Sequence, residues 1–301
     1  MCCLFGLFDY KRNLSAEQKT QVIRILGTAA EARGVDAAGI AYNDGGRLQI
    51  VKRPGPAHNA GFHIPAGADV VMGHTRMTTQ GSAAKNRNNH PFPGKTRNQP
   101  FALAHNGVLC NDAKLRRRLK LPGAKIETDS YVAVQLIERK NRLDFGTLRY
   151  MAELLEGSFT ITVLDSDNSL FVVKGDSPFC LYRYPKLGLY LYASTEEILQ
   201  EALRRIRVDG DAPEKVNLHC GEILRIQRGG RMDKSEFDDS NLFAPPSYGW
   251  PYRYGTVRQS GAEELRMIAG SFGYTPEEID ELLADGFTVE ELEDYLYCGE
   301  I

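Results

Sequence analysis

Ser158–Ser194 reads SFTITVLDSDNSLFVVKGDSPFCLYRYPKLGLYLYAS, and its reading decides the fold. Apolar, aromatic and β-branched runs are parted by DSDN, GDSP and YPKLG, which supply the residues that turns demand. Strands are therefore expected to follow one another closely in this block. Upstream, RLQIVKR, DVVMGH and FALAHNG are further strand candidates, and GEILRIQ is another downstream. Helical patterns stand apart from them. LSAEQKTQVIRILGTAAEARG opens with a capping box, Ser15 and Gln18, and puts Val22, Ile25, Leu26, Ala29 and Ala30 on one face. DSYVAVQLIERK, FGTLRYMAELLEG and TEEILQEALRRI complete the set. Mostly antiparallel strands with helices in separate blocks predict an α+β fold and exclude a doubly wound parallel sheet.

Charge divides the chain further. Residues 261–301 hold twelve acidic residues and one basic residue, Arg266, for a net of −11; the whole chain is at −2, which leaves +9 on the rest. Thr275-Pro-Glu-Glu and Thr288-Val-Glu-Glu are two helix starts, Gly286 stops the first helix, and Ile279, Leu282, Leu283, Leu292 and Leu296 give the pair an apolar seam. An acidic helical hairpin over 261–301 is expected, docked on the basic body or on a partner. Before it, residues 240–260 are rich in Pro, Gly and aromatic residues and lack a period, as in a linker that packs through its rings. The division expected is a main domain over 1–239, the linker over 240–260 and the hairpin.

Composition narrows the function classes. With 301 residues, 42% hydrophobic and 25% charged, the chain is an ordinary globular one, without an apolar run near the ~18 residues of a membrane span. CCLFGLF is short, has no basic region before it and is followed by DYKRN, so no signal peptide is expected and the chain reads as cytoplasmic. Six cysteines without a CxxC pair and six histidines without HExxH spacing predict no disulfide framework, no metal and no cofactor. GxGxxG and GxxxxGK[ST] fingerprints are absent as well. KLRRRLKL (Lys114–Leu121) has a basic helix face, but without interleaved aromatics it reads as solvated surface and not as a nucleic-acid contact.

Some short stretches carry chemistry, and each has an ordinary reading beside the chemical one. Cys2 follows the initiator methionine. Once Met1 is removed, its thiol and a free α-amine lie on one residue, and an α-amine of pKa ~7.7 to 8.0 can serve as base near neutrality. Taken alone, MC is better read as an ordinary cysteine near a terminus. GHTRMTTQG (Gly73–Gly81) sets Arg76 and a pair of threonines in a Gly-bounded loop: a structural arginine, or a fork for a carboxylate. Asn106-Gly107 after a strand is either a hairpin turn or an oxyanion hole made of a side-chain amide and a backbone N–H. Asp129 in ETDS either caps a helix or holds a substrate ammonium.

In order along the chain, Cys2 with LFG, EARGVDAAG, GHTRMTTQG, NHPF, AHNG, ETDS and LEGSFTITVLD resemble the glutamine-hydrolysing domain of the class-II glutamine amidotransferases. This is the N-terminal-nucleophile hydrolase domain found in glucosamine-phosphate synthase and amidophosphoribosyltransferase, here free-standing. The resemblance spans roughly residues 2 to 230 and rests on the order of the matches, since each motif alone is weakly specific. It implies a four-layer αββα sandwich and no metal or cofactor. It implies that Cys2 is the nucleophile with its α-amine as base, and that Asn106 and Gly107 form the oxyanion hole. Arg76, helped by Thr79, would bind the substrate α-carboxylate and Asp129 its α-ammonium, with His90 on the site wall and Arg33 supporting the nucleophile end. The chain departs from the family pattern at Cys3, where glycine is usual, at Met77, where an aromatic residue or leucine is frequent, and at Gln80, where histidine is common.

The activity so implied is hydrolysis of the glutamine side-chain amide to glutamate and ammonia through a cysteine thioester, with the ammonia supplied to a separate synthase subunit because no second enzyme domain follows in this chain. A free-standing hydrolase of glutamine or a γ-glutamyl amide is the second reading. A non-enzymatic interaction module is the third, disfavoured by the presence together of Cys2, Arg76, Asn106, Gly107 and Asp129. Neither membrane nor nucleic acid is expected as a partner, and oligomeric state is not legible.

Overall fold

The computed structural model describes residues 2–97, 99–206, 212–242 and 274–289, together with 262, 265, 266, 269 and 292. Most of the predicted linker lies outside the described residues. The chain divides into two compact units, Met1–Ala244 and Pro245–Ile301.

The first unit is built on two antiparallel sheets. Its strands are β1 (Cys3–Asp9), β2 (Ala37–Asp44), β3 (Arg47–Pro54), β4 (Val70–Arg76), β5 (Phe92–Lys95), β6 (Pro100–Leu109), β7 (Gly157–Asp165), β8 (Leu170–Lys174), β9 (Cys180–Tyr184), β10 (Leu189–Ala193), β11 (Glu214–Lys215), β12 (Glu222–Ile226) and β13 (Met232–Glu236). One sheet runs β11-β9-β10-β1-β4-β2-β3 and the other β13-β12-β8-β7-β6-β5. The helices are α1 (Ala16–Ala30), α2 (Asp112–Leu119), α3 (Tyr131–Lys140), α4 (Phe145–Leu154) and α5 (Glu196–Arg205). The stretch that opened the analysis is two hairpins, β7–β8 in the second sheet and β9–β10 in the first, closed by DSDN and YPKLG, with GDSP carrying the chain from one sheet to the other.

Side-chain alternation along the strands assigns the layers. On β1, Cys3, Phe5 and Leu7 join a core with Val22, Ile23 and Leu26 of α1 and Leu199 and Ala202 of α5. Leu4 and Phe8 point the other way, into a core between the sheets with Met72, Tyr190 and Tyr192 on one side and Ala102, Leu164 and Val172 on the other. On the far face of the second sheet, Phe101, Leu103, Phe159 and Ile161 pack on Val132, Leu136, Leu148 and Met151 of α3 and α4. Three stacked cores make four layers, the expected αββα sandwich.

Ser15 and Gln18 form the predicted capping box at the start of α1. The buried face is turned slightly from the predicted one: Ile23 is fully buried, and Ile25 and Ala29 are half-buried. Lys19 moves the stripe. Its ammonium is buried against Asp9 at 3.4 Å and donates to Ala66 O, so a lysine belongs to the inner face. In the basic run on α2, Leu115 faces the core while Arg116 is tied to Asp112 and donates to Thr128 O.

Within the second unit, helix α6 (Pro276–Ala284) has the predicted capping box, Thr275 with Glu278, and Gly286 follows its end. Ile279 is buried with Leu292, as the seam requires. The apolar seam also takes in Leu265 and Ala269, which are helical and lie ahead of Thr275. Arg266, the basic residue of this stretch, pairs with Asp280. Leu296 and most of the second predicted helix lie outside the described residues.

Candidate active site

β1 and β4 are neighbours with Cys3 opposite Thr75, and one further step of that register sets Cys2 opposite Arg76. The start of one strand and the end of the next thus bring the thiol and the guanidinium together from 74 residues apart in sequence. Cys2 Sγ lies 3.4 Å from Met77 O, to which the thiol donates. Burial raises the thiol pKa above its ordinary value, opposed by the Met77 backbone and the positive charge of Arg76. Arg33 Nε donates to Cys2 O at 3.0 Å, which fixes the carbonyl just after the sulfur-bearing carbon.

Arg76 is buried, and the guanidinium partners are all neutral oxygens: Asn89 Oδ1 at 2.7 Å, Gly81 O at 2.8 Å and Gln80 O. These bonds fold the TTQG loop around the arginine and orient the fork. Burial lowers the Arg76 pKa, and Cys2, Asp36 and Asp129 pull it back up. Asp36 accepts from Thr78 N at 2.7 Å and pins the same loop from below. Gly39, across on β2, has no room for a side chain, since a Cβ there would sit 2.1 Å from His90 O.

The second sheet supplies Asn106 and Gly107 from within β6, where they pair with Thr160 and Phe159 of β7. They are not a hairpin turn. Gly107 has φ +130°, and a Cβ there would meet Ser158 O at 2.1 Å, so the strand can take this path only with glycine. Asp129 is not a helix cap either: α3 starts without a side-chain cap, and Asp129 Oδ2 accepts from Leu109 N at 2.7 Å on β6. Ser130 Oγ is 3.3 Å from Asp129 Oδ1 and 2.8 Å from His105 Nδ1. His105 Nε2 lies 3.3 Å from Ser158 O, so the ring bridges Ser130 and β7.

Cys2, Arg76, Thr79, His90, Gly107 and Asp129 all line one cavity, with Met77, Gln80, His105, Thr128 and Ser130 filling the rest of its wall. Arg33 stands behind Cys2. Asn106 stands behind the wall, with Nδ2 donating to Ser194 Oγ at 3.3 Å. The His90 ring is packed between His74 and Phe92, with centroid separations of 4.2 and 4.3 Å, and burial pushes its pKa down. The same burial lowers His74 to about 3. These rings pack against one another at interplanar angles of 37° and 57°, and among the described residues no group of three metal-ligating side chains is found. No helix among the described residues is long and apolar enough to cross a membrane.

Sequence reasoning missed Ser130, His105 and Ser194 as members of the site. Ser130 and His105 lie inside the quoted motifs ETDS and AHNG, next to residues that were singled out. Ser194 gave no signal, because it precedes Thr195, the cap of α5, and reads as part of a helix start.

Cys3 has no part in the cavity. It is fully buried in the core beneath α1 and α5, and its thiol donates to Leu4 O at 3.3 Å. Successive strand residues point to opposite faces, so the second cysteine faces away from the first.

The family model of the glutamine amidotransferase domain matches residues 74–201. The amidophosphoribosyltransferase of Methanocaldococcus jannaschii is 30% identical over 266 residues, which is 82% of this chain and 53% of that protein. The glutamine-fructose-6-phosphate aminotransferase of Staphylococcus aureus is 33% identical over 232 residues, 72% of this chain and 35% of that protein. The chain thus spans about half, or less, of the length of the curated relatives it matches. Among solved structures, the glutamine phosphoribosylpyrophosphate amidotransferase of B. subtilis superposes with a TM-score of 0.62 at 21% identity, covering 80% of this chain and 50% of that one, a likeness of fold. The family match and the relatives agree: the chain carries a class-II glutamine amidotransferase domain.

Proposed function

We propose that the chain hydrolyses the side-chain amide of glutamine to glutamate and ammonia through a thioester on Cys2, and that the ammonia serves a separate synthase. The observation that carries this reading is the gathering of Cys2, Arg76, Gly107 and Asp129 around one pocket. Arg76 presents a positive charge without a carboxylate partner in its hydrogen bonds, complementary to the substrate α-carboxylate, with Thr79 beside it. Asp129 offers the opposite charge to the α-ammonium, and His90 closes the wall. An amino acid held by both ends directs its side-chain amide towards the thiol.

With Met1 attached, the Cys2 nitrogen is an amide without a basic lone pair. Removal of Met1 makes it an amine. Burial keeps the resting thiol protonated, so a base on the same residue is the economical way to form the thiolate. Sγ then attacks the amide carbon, and the developing oxyanion is held by the Gly107 N–H and the Asn106 amide, which has a second hydrogen besides the one given to Ser194. The ammonium returns its proton to the departing ammonia. Water, deprotonated by the same amine, cleaves the thioester to glutamate. Arg33, by holding the Cys2 carbonyl, fixes where sulfur and amine stand during these steps.

Intact-mass measurement of the purified protein before and after a glutamine-like electrophile tests the reading. The expected result is loss of Met1, one adduct on Cys2, protection by glutamine and release of glutamate on turnover. Absence of both labelling and glutamate release, with Met1 removed, rejects it. Steady turnover by the isolated protein at a rate that no synthase raises would leave the hydrolysis and remove the separate acceptor.

A further inference from the structure

We infer that Ser194 is a positioning residue for the oxyanion-binding amide, and that it couples the strand of the nucleophile to the strand of the oxyanion hole through a single oxygen. The inference rests on the glutaminase reading above. Ser194 follows β10 and is fully buried. Its Oγ accepts from Leu4 N at 2.8 Å, two residues beyond Cys2 on β1, and from Asn106 Nδ2 at 3.3 Å on β6. β1 and β10 belong to one sheet and β6 to the other. The hydroxyl therefore ties the two sheets together behind the cavity wall.

A hydroxyl oxygen has two lone pairs and one hydrogen. Both lone pairs are taken by the two donors, so the oxygen has a fixed place and Asn106 has one side-chain hydrogen committed to it. An amide group pinned by one hydrogen presents the other in a defined direction. Without that anchor the Asn106 side chain can turn about its terminal torsion, which is broad and soft. A donor aimed at the place where charge develops acts only when its orientation is fixed beforehand. Ser194 also interacts with the Cys3 thiol through its side chain and backbone, so Cys3 packs against this same node on the side away from the cavity.

The test compares reactions that do and do not need an oxyanion hole. Ser194→Ala removes the acceptor and leaves Cys2, its amine and the cavity lining in place. We expect kcat for glutamine hydrolysis to fall about tenfold or more with KM within about threefold, while alkylation of Cys2 by iodoacetamide, which develops no oxyanion, keeps its rate within about twofold. Ser194→Thr, which retains the oxygen, is expected to recover most of kcat. Equal loss in hydrolysis and alkylation would show a purely structural role and overturn the proposal, as would an unchanged kcat in Ser194→Ala. If Ser194→Thr fails to fold, the two rates of Ser194→Ala still decide. Wild-type protein that neither hydrolyses glutamine nor takes a glutamine-like label would instead overturn the reading of the site as a whole, an outcome distinct from an active wild type with an indifferent Ser194→Ala.

Discussion

The first sheet meets the cavity with strand ends, Cys2 ahead of β1 and Arg76 at the close of β4, whereas the second meets it with the middle of a strand, Asn106 and Gly107 inside the β6–β7 ladder. At a strand end the side chains have freedom to face a ligand, and local loops such as TTQG can be shaped around them without disturbing the ladder. In mid-strand, the only way to redirect the backbone is an unusual dihedral, and Gly107 takes it at φ +130°. The difference teaches where the site is adjustable. Cys2, Arg76 and the loop shaped around them sit on the tolerant sheet, and the intolerant one holds Asn106 and Gly107 in its ladder and fixes Asp129 through Leu109 N.

Gly107→Ala should have the largest effect, because a Cβ would lie 2.1 Å from Ser158 O and the conformation is closed to side chains. Glutamate release should fall below detection, and chemical denaturation should show a loss of roughly 1–3 kcal/mol or more. If alanine is tolerated on both counts, the contrast between the sheets is gone. Asn106→Ala should lower kcat by about 10²–10³, corresponding to ~2.7–4 kcal/mol, with a smaller change in KM. Unchanged turnover would remove Asn106 from the oxyanion hole.

On the tolerant sheet, Arg76→Lys replaces the fork that reaches Asn89, Gln80 and Gly81 with a point charge. Steady-state kinetics should show KM for glutamine up by roughly an order of magnitude or more, the scale of one lost charge-assisted hydrogen bond at 1.5–3 kcal/mol, with kcat changed much less. A fall confined to kcat would mean that Arg76 acts on the chemistry and not on the substrate's end. The smallest effect concerns pH. Burial lowers His74 to about 3 and depresses His90 and His105 as well, whereas histidines in an unfolded chain titrate near 6.5. Between those values the unfolded state binds more protons, so stability declines as pH falls below about 6.5 and continues to decline towards 3. His74→Gln should reduce the slope of unfolding free energy against pH by about one proton, or ~1.4 kcal/mol per pH unit. An unaltered slope would place the acid sensitivity elsewhere.

Legibility in the sequence followed the kind of burial. The strands β7 to β10 were readable because the connections between them are spelled out in Asp, Asn, Gly and Pro, and α1 because its cap is local. β1 was not read as a strand: all seven of its residues are buried, one face under helices and one under the other sheet, so the alternation that marks a strand is missing. The layering came from family resemblance, since no periodicity tells a sheet which other sheet it will meet. In the site, Cys2, Arg76 and Asp129 were singled out because their residue types suggest chemistry, and the roles expected of them came from the family resemblance. The ordinary readings of Asn106-Gly107 as a turn and of Asp129 as a cap failed because tertiary partners, Phe159 and Leu109, claim those groups instead. Ser194 was out of reach because its partners are 88 and 190 residues away and a lone serine carries no signature.

The place of β1 in its sheet has a consequence for how the nucleophile end becomes ordered. β1 is flanked on one side by β4 and on the other by β10, where Phe5 lies opposite Ala193. Pairings between segments so far apart in sequence are slow to close, because loop entropy is lost before the contacts are made. The backbone beside Cys2 is therefore held by completion of the whole sheet and not by any local element.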